Sequence, residues 1–434
     1  KVAVTVYAGG LVFQQVFGIK ELWGIDFFWI AAIGLVVLTA LYTIFGGMKS
    51  VLYTSVLQTP ILLLGSLIIL VLGFKELGGW DEMMRVCGAV TVNDYDDTMT
   101  NLIRSNDDAN FPWLGALIGS AIIGFWYWCT DQFIVQRVLS GKNEMEARRG
   151  TIFGAYLKLL PVFLFLIPGM IAFALHQKYI GAGGEGFLPM LANGTANADA
   201  AFPTLVAKLL PAGVKGLVVC GILAALMSSL ASLFNSSAML FTIDFYKRFK
   251  PETPEKKLVG IGQIATIVIV VLGILWIPIM RSVGDVLYTY LQDVQSVLAP
   301  GIAAAFLLGI CWKRTSAQGG MWGLISGMVI GLTRLGAKVY YSNAGEVADS
   351  TFKYLFYDMN WLFFCGWMFL FCIIVVIVVS LATEAPTAEK IQGLVFGTAT
   401  KKQKAATRAS WNHWDIIHTV IILAITAAFY WYFW

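Results

Sequence analysis

The chain has 434 residues, of which 58% are hydrophobic and only 13% are charged, and its formal net charge is +4. Soluble domains carry about 25% charged residues, whereas apolar runs of about 18 residues or more recur along this chain and predict a polytopic membrane protein. The small net charge argues against nucleic acid as a partner, and the six cysteines and three histidines show neither a disulfide framework nor metal-ligand spacing.

The apolar runs predict about eleven spanning helices. They cover residues 1–18, 25–46, 53–76, 112–136, 149–176, 203–245, 257–281, 284–312, 319–338, 357–384 and 414–434. The sixth is long enough to be a short outer helix followed by a longer span. Basic residues concentrate in alternate connections, which the positive-inside rule places in the cytoplasm. Those connections lie at 46–53, 137–149, 246–257, 313–319 and 385–413.

The two ends of the chain lack the marks of a complete protein. Lys1 lies directly before an apolar run without a start methionine or signal peptide, and YWYFW ends the chain at an aromatic belt. We therefore expect the interior of a longer, multi-pass protein of the plasma membrane, or of the inner membrane in a bacterium. Residues 1–434 are expected to form one transmembrane domain.

A stripe of small and hydroxyl side chains runs along the apolar segment 216–242, which holds no charged residue. Ala225, Ser228, Ser229, Ser232 and Ser236 recur at the spacing of one helix face. Such a stripe has two interpretations. It lets helices pack closely, or it offers neutral oxygens to a weakly held monovalent cation.

Lys158 is the only ionisable group that the sequence places well inside an apolar helix, in AYLKLLPVFLFLIPG. Nine residues separate it from basic Arg149, which is about 13 Å at 1.5 Å per residue and close to the middle of the bilayer. A lysine at that depth needs a partner or a watery cavity. A substrate site is one interpretation, and a structural bond to backbone carbonyls is the other.

The aromatic run of Trp126, Tyr127 and Trp128 lies about 15 Å from basic Arg137, at the same predicted depth. Aromatic residues usually mark the membrane interface. Deep aromatic faces either pack in the core or stack on a sugar ring or a cation.

Polar residues also recur along the segment LYTYLQDVQSVLAPG. Tyr288, Gln292, Gln295 and Ala299 share one helix face, which ends at a kink expected at Pro300. A buried glutamine must be hydrogen-bonded, and its partner is either another helix or a polyhydroxyl substrate.

Polar groups at the middle of several helices are typical of secondary transporters. The sequence offers no phosphate-binding loop, no catalytic triad and no Cys/His metal set. A transporter is therefore predicted rather than an enzyme.

Several motifs resemble the sodium/solute symporter family, and in particular its sodium/glucose cotransporters. The resemblance extends over nearly the whole chain. The matching motifs are GGMKSVLYTSVLQT (46–59), WYWCTDQFIVQRVLSGKN (126–143), YLKLLPVFLFLIPGM (156–170), ALMSSLASLFNSSAMLFTIDFY (225–246) and YLQDVQSVLAPGIAAAFLLGICWKR (290–314).

The resemblance implies an all-α, LeuT-type fold of two inverted five-helix repeats. Residues 1–76 would be the end of the first repeat, 112–312 the second repeat and 319–434 trailing helices. The first helices of the first repeat would then be missing from this chain, together with their share of both binding sites.

By position, the resemblance also implies roles for individual residues. Sodium would bind the backbone carbonyl of Ala225 and the hydroxyls of Ser228 and Ser229. Tyr127 would stack on the sugar and close the inner gate, and Tyr288 would belong to the outer gate. The other residues placed at the sugar site are Trp128, Lys158, Gln292 and, on the same polar face, Gln295.

Two positions depart from the family pattern. Ser55 stands where many relatives have an aspartate tied to a second sodium, which favours one sodium per sugar. Gly124 replaces a polar residue that can contact sugar.

The resulting hypothesis is a sodium-coupled importer of a hexose such as glucose or galactose, with sodium as the coupling ion and the lipid bilayer as its surroundings. The alternatives are a sodium symporter of the same fold for a polyol, sialic acid or an amino acid, and a sugar sensor that does not transport.

Overall fold

The computed structural model describes residues 1–92, 97–191, 194–283, 287–344 and 348–433, without the side chains at 42, 44–52, 54, 57 and 279–283. Regular structure in these ranges is almost entirely helical, which confirms the predicted all-α class. The strands described are β1 (Glu21–Leu22) and β2 (Ile25–Asp26), which pair as a short antiparallel hairpin. Its turn places Trp23 and Gly24 at φ angles of 57° and 75°, a region that glycine adopts readily and tryptophan rarely.

The helices are, in chain order, α1 (Val2–Phe17), α2 (Phe27–Leu77), α3 (Trp80–Gly88), α4 (Trp113–Cys129), α5 (Gln132–Leu139), α6 (Glu144–Pro161), α7 (Ile167–Gly181), α8 (Ala201–Leu209), α9 (Ala212–Met239), α10 (Lys247–Phe249), α11 (Glu255–Val283), α12 (Leu287–Cys311), α13 (Ala317–Asn343), α14 (Thr351–Lys353), α15 (Trp361–Ala382), α16 (Ala388–Ile391), α17 (Lys401–Ala409) and α18 (His413–Tyr432). Wider π turns lie at Val162–Leu166, Leu240–Tyr246 and Tyr354–Asp358, and a 3-10 turn at Ala198–Ala200.

Within the described residues, seven helices are long and apolar enough to cross a membrane, or eight if α4 and α5, bent by 47°, form one span. These seven are Gln58–Leu77, Glu144–Gly181, Ala212–Phe249, Glu255–Pro278, Leu287–Cys311, Trp361–Ala382 and His413–Tyr432. The chain is therefore a multi-pass membrane protein. The count is smaller than predicted, partly because α1 is short and because α13 carries Arg334 and Lys338 among many glycines.

Helix α2 differs from the prediction of two spans separated by a cytoplasmic connection at 46–53. The backbone continues as one helix from Phe27 to Leu77. Gly46 and Gly47 each cost about 1 kcal/mol in a helix interior, which is too little to end a helix that continues on both sides. The true ends have proper caps, since Asp26 accepts a hydrogen bond from the Phe28 amide and Gly78 adopts φ 113°.

Prolines shape two other long helices. Proline lacks an amide hydrogen and its ring clashes with the preceding turn, and the π turn at Val162–Leu166 directly follows Pro161. Leu210 and Pro211 separate the short α8 from α9. The expected short helix followed by a long span is thus present in the structure.

One compact unit comprises residues 1–91, 98–100 and 159–281 and is called the first unit below. In it α9 packs along α2, and the approach is close where a Cβ on Gly65 would lie 2.6 Å from the Cγ2 of Val218. Its core includes the buried side chains of Ile69, Ile171, Leu175, Leu205, Leu230 and Phe234.

The second unit comprises residues 92–97, 101–158 and 282–434. Here α12 packs against α4, α13 and α15. Helix α13 buries a glycine at every fourth position from 319 to 331, and a Cβ on Gly327 would lie 2.9 Å from the Cα of Gly301. Small residues at this spacing allow close helix packing in membranes. The prediction that residues 1–434 form one domain, with the repeat boundaries given above, stays a prediction.

Candidate functional site

The serine stripe lies on α9 in the first unit, on the side that faces α2. Ser228 is buried, and its hydroxyl lies 2.6 Å from the hydroxyl of Ser55 on α2. Ala225 and Ser229 are half-buried. The structure therefore brings Ser55, one of the two positions that depart from the family pattern, next to a predicted sodium ligand.

The next two turns of the same stripe are built differently. Ser232 donates a hydrogen bond to the Ser228 carbonyl at 3.0 Å, and Ser236 donates to the Ser232 carbonyl at 2.7 Å. Both side chains are buried. Hydroxyl bonds to the carbonyl four residues back satisfy a serine inside a helix without a ligand. Close packing thus accounts for Ser232 and Ser236. Ala225 and Ser229, one to two turns earlier, are only half-buried.

The oxygens of the predicted ligands Ala225, Ser228 and Ser229, and that of the neighbouring Ser55, are uncharged. No group of three or more histidine, cysteine or acidic side chains that could hold a metal ion occurs among the described residues. A multivalent or soft metal prefers such ligands, and hydroxyl and carbonyl oxygens instead suit a weakly held hard cation. The residues present are consistent with sodium at Ala225, Ser228 and Ser229.

The three predicted aromatic residues of α4, in the second unit, lie in different surroundings. Trp126 is buried in a cluster with Ala299 and Ala303 of α12, and Tyr127 packs at the edge of that cluster. Trp128 is half exposed, and its ring meets that of Tyr127 edge-on with centroids 5.2 Å apart. Trp126 is therefore a core residue, and the open aromatic face belongs to Trp128.

Lys158 contacts this open face. Its Nζ lies 5.8 Å from the centroid of the Trp128 ring, near the outer limit of a cation–π interaction. The side chain is exposed. The structure thus brings Lys158 and Trp128 together, and their place in a substrate site stays a prediction.

On α12, Gln292 and Tyr288 also lie together. The Gln292 amide donates a hydrogen bond to the Tyr288 hydroxyl at 3.3 Å. Tyr288 is 57% exposed and Gln292 is half-buried, whereas Gln295 is buried at 8% exposure. Gln292 and Tyr288 are therefore accessible to a ligand, and Gln295 faces the packed interior of the unit.

The expectation that Lys158 is the only ionisable group deep within an apolar helix is wrong. Arg334 of α13 is fully buried, and Asp293 of α12 is buried beside it at an oxygen–nitrogen distance of 3.5 Å. Lys338 lies 2.6 Å from the other carboxylate oxygen. The sequence signal was present, since Asp293 follows Gln292 directly and Arg334 interrupts the apolar run IGLTRLG.

A cavity of about 400 Å³ lies between α6 and α18 in the second unit. Its lining includes Arg149, Phe153, Tyr156, Trp414 and His418, and the Tyr156 hydroxyl lies 3.1 Å from the His418 Nδ1. The predicted substrate residues do not line it. This cavity is therefore distinct from the candidate substrate site.

Comparison with known proteins gives consistent matches. The model of the sodium:solute symporter family matches residues 1–327. Sodium/myo-inositol cotransporter 2 of Homo sapiens is 36% identical over 409 residues, which cover 92% of this chain and 60% of that protein. Sodium/mannose cotransporter SLC5A10 of Bos taurus is 34% identical over 454 residues, which cover 100% of this chain and 75% of that protein. The chain thus spans 60% of the length of the human relative.

A solved structure of a Na⁺-coupled sialic acid symporter, in a substrate-bound outward-open state, matches with a TM-score of 0.63 and 20% sequence identity. The match covers 89% of this chain and 74% of that chain. At this identity the likeness establishes the fold, which is LeuT-like as predicted.

These comparisons describe transporters rather than enzymes, and sodium is the coupling ion of the family. Together with the apolar helices they place the chain in the plasma membrane as a multi-pass protein. The family model and the relatives agree along most of the sequence, and this chain belongs to the sodium:solute symporter family.

Proposed function

We propose that the protein imports a neutral sugar or polyol by coupling its movement to sodium entry. The observation that carries the proposal is the arrangement on the second unit. An open aromatic face at Trp128 contacts Lys158, and an accessible amide at Gln292 is paired with the Tyr288 hydroxyl. Aromatic faces stack on sugar rings, and amides, hydroxyls and an ammonium group bind sugar hydroxyls.

The names of the relatives support the same class of substrate. One match is a sodium/myo-inositol cotransporter and another a sodium/mannose cotransporter. Both solutes are uncharged and carry many hydroxyl groups. Glucose and galactose are of the same class, and the choice among these solutes belongs to the experiment below.

Each predicted residue has a role in this proposal. Sodium binds the carbonyl of Ala225 and the hydroxyls of Ser228 and Ser229, and its binding favours the outward-open state. A ligand shifts such an equilibrium only when it binds the two states with unequal affinity. Tyr127 stacks on the substrate and closes the inner gate, and Tyr288 closes the outer one.

The remaining proposed contacts orient the substrate. Trp128 supplies a second aromatic face, and Lys158 and Gln292 donate hydrogen bonds to substrate hydroxyls. Gln295, being buried, supports the helix behind Gln292 and completes the polar face.

A carboxylate-bearing substrate is the second candidate, and the charge of exposed Lys158 favours it. In that case the ammonium group pairs with the substrate carboxylate, and replacing Lys158 removes a charge-assisted bond. For a neutral sugar, Lys158 is one hydrogen-bond donor among several.

The test is uptake of labelled myo-inositol, mannose, glucose, galactose and sialic acid by the full-length protein in proteoliposomes, with and without an inward sodium gradient. We expect sodium-dependent uptake of at least one neutral sugar or polyol, and uptake that Lys158→Met weakens but does not abolish. Sodium-dependent uptake of the acid alone would establish the second candidate. Binding without uptake would indicate a sensor.

A further inference from the structure

Arg334 of α13 is held on several sides inside the second unit. Its guanidinium donates to the Met359 carbonyl at 2.7 Å and to the Leu355 carbonyl at 3.4 Å. It also lies 4.1 Å from the centroid of the Phe364 ring and 3.5 Å from the Asp293 carboxylate. The residue is 0% exposed. These contacts join α12, α13, the turn before α15 and α15 itself.

Asp293 faces a second cation as well. Lys338, one helical turn beyond Arg334 on α13, places its Nζ 2.6 Å from the Asp293 Oδ2, with 21% of its side chain exposed. Removing each ion from water costs several kcal/mol, so a buried ionic cluster is weak evidence for stability. Ionisable groups within membrane helices are uncommon and usually serve function.

The position of Asp293 on α12 relates the ionic cluster to Gln292. Asp293 is adjacent to Gln292 in sequence, so its side chain points about 100° around the helix from the accessible amide. Ser296, Val297 and Pro300 continue the buried side. Pro300 cannot donate a hydrogen bond to the preceding turn, which weakens the link between the two halves of a helix. Contacts outside the helix then contribute more to fixing the rotation of the first half of α12.

We propose that Asp293, Arg334 and Lys338 are positioning residues that fix the rotation of the first half of α12 and so aim Gln292 and Tyr288 at the substrate. Arg334 is the fixed anchor, because backbone carbonyls hold it. Asp293 links α12 to Arg334 through one carboxylate oxygen, and Lys338 binds the other oxygen. Only the link to the substrate rests on the proposed function; the control of rotation does not.

The test uses the full-length protein, with substrate affinity measured for the solute identified by uptake. Asp293→Asn keeps the size of the side chain and leaves two cations without their carboxylate. We expect substrate affinity to fall by about tenfold, comparable to the loss of one substrate hydrogen bond. Sodium affinity in the absence of substrate should stay unchanged. Asp293→Glu, which keeps a carboxylate between Arg334 and Lys338, should retain most of the substrate affinity.

A matched control comes from the same unit. Asp349 forms an ion pair with Lys353 at 2.9 Å and is 95% exposed. Asp349→Asn removes the carboxylate that pairs with Lys353, which lies outside α12, and should not change substrate affinity. Lys338→Gln, which keeps the Asp293–Arg334 contact, provides a milder variant if Asp293→Asn fails to fold.

A second measurement is independent of any substrate. Tyr288→Cys introduces a thiol on the accessible face of α12, and its rate of reaction with a charged thiosulfonate reports the rotation of that face. The native cysteines give the background rate. We expect Asp293→Asn to change this rate severalfold and Asp293→Glu to leave it close to that of the parent protein.

The two measurements separate two kinds of failure. If Gln292→Ala leaves substrate binding unchanged while Asp293→Asn changes the thiol rate, the proposed substrate site is wrong and the positioning role stands. If Asp293→Asn and Lys338→Gln change neither the thiol rate nor substrate affinity, the positioning role is refuted.

Discussion

Replacing Ser228 by alanine tests the proposed sodium site directly. The Ser228 hydroxyl lies 2.6 Å from that of Ser55 and is the buried oxygen of the predicted ligand set. Alanine keeps the stripe small, so helix packing should survive. Loss of the Ser55 pair should lower stability by about 0.5–1.5 kcal/mol, the net value of a typical hydrogen bond.

The effect on sodium should be larger than the effect on folding. Polar contacts to a charged group contribute about 1.5–3 kcal/mol. The sodium concentration for half-maximal uptake should therefore rise by about ten- to a hundredfold in Ser228→Ala. The assay is initial substrate uptake in proteoliposomes over a range of sodium concentrations, with ionic strength held constant by a large organic cation.

Ser232 provides the matched control, because it lies one turn further along the same stripe. It is fully buried and donates to the Ser228 carbonyl at 3.0 Å. Ser232→Ala removes a hydroxyl of the same kind from the packed part of the stripe, so stability should fall slightly and sodium dependence should remain. If Ser228→Ala also kept the sodium dependence of the parent protein, the whole stripe would serve packing and the sodium assignment would be refuted.

Three further predictions follow from the geometry. Gln292→Ala should weaken substrate affinity about tenfold or more, because leaving a buried hydrogen-bond partner unpaired costs about 1–3 kcal/mol. Tyr127→Ala should also weaken substrate affinity, whereas Tyr127→Phe, which keeps the aromatic ring, should largely retain it. Competition uptake measures the affinity of all three variants, and unchanged affinity in both alanine variants would contradict the substrate site. Ser55 supplies no carboxylate for a second sodium, so reversal potentials in vesicles with fixed sodium and substrate gradients should give one sodium per substrate. A ratio of two would mean that another group takes the place of the aspartate found at this position in many relatives. Burial raises the pKa of the Cys87 thiol to about 11. The rate of maleimide labelling at Cys87, identified as the labelling that is lost in Cys87→Ser, should therefore be slow at pH 8 and rise about tenfold per pH unit towards that pKa. Rapid labelling at pH 8 would show that the thiol is exposed.

The sequence predicted those features that depend on one helix at a time. Apolar runs indicated membrane helices, and the spacing of Ser228, Ser232 and Ser236 identified one face of α9. The structure places all three on that buried face. The contact between Ser228 and Ser55 of α2, which distinguishes Ser228 from Ser232 and Ser236, was not predictable. Periodicity identifies a helix face but does not show which residue of another helix that face contacts.

The buried ionic cluster shows the same limit. Asp293 and Arg334 are separated by 41 residues in the sequence, and neither position alone shows that the other charge lies beside it. Only the packing of α12 against α13, made close by Gly301 and Gly327, brings them together. Lys158 shows the same limit in the opposite direction. Its position along the helix predicted a site deep in the membrane, but its side chain is exposed, and exposure depends on which neighbours pack against it.

Uphill transport tests the central claim most directly. Proteoliposomes containing the full-length protein are given equal concentrations of the labelled substrate on both sides and an inward sodium gradient. The proposed function predicts that substrate accumulates inside above the outside concentration and that a sodium ionophore abolishes the accumulation. Uptake that stops at equal concentrations, or accumulation that persists after the sodium gradient is collapsed, would contradict sodium-coupled symport.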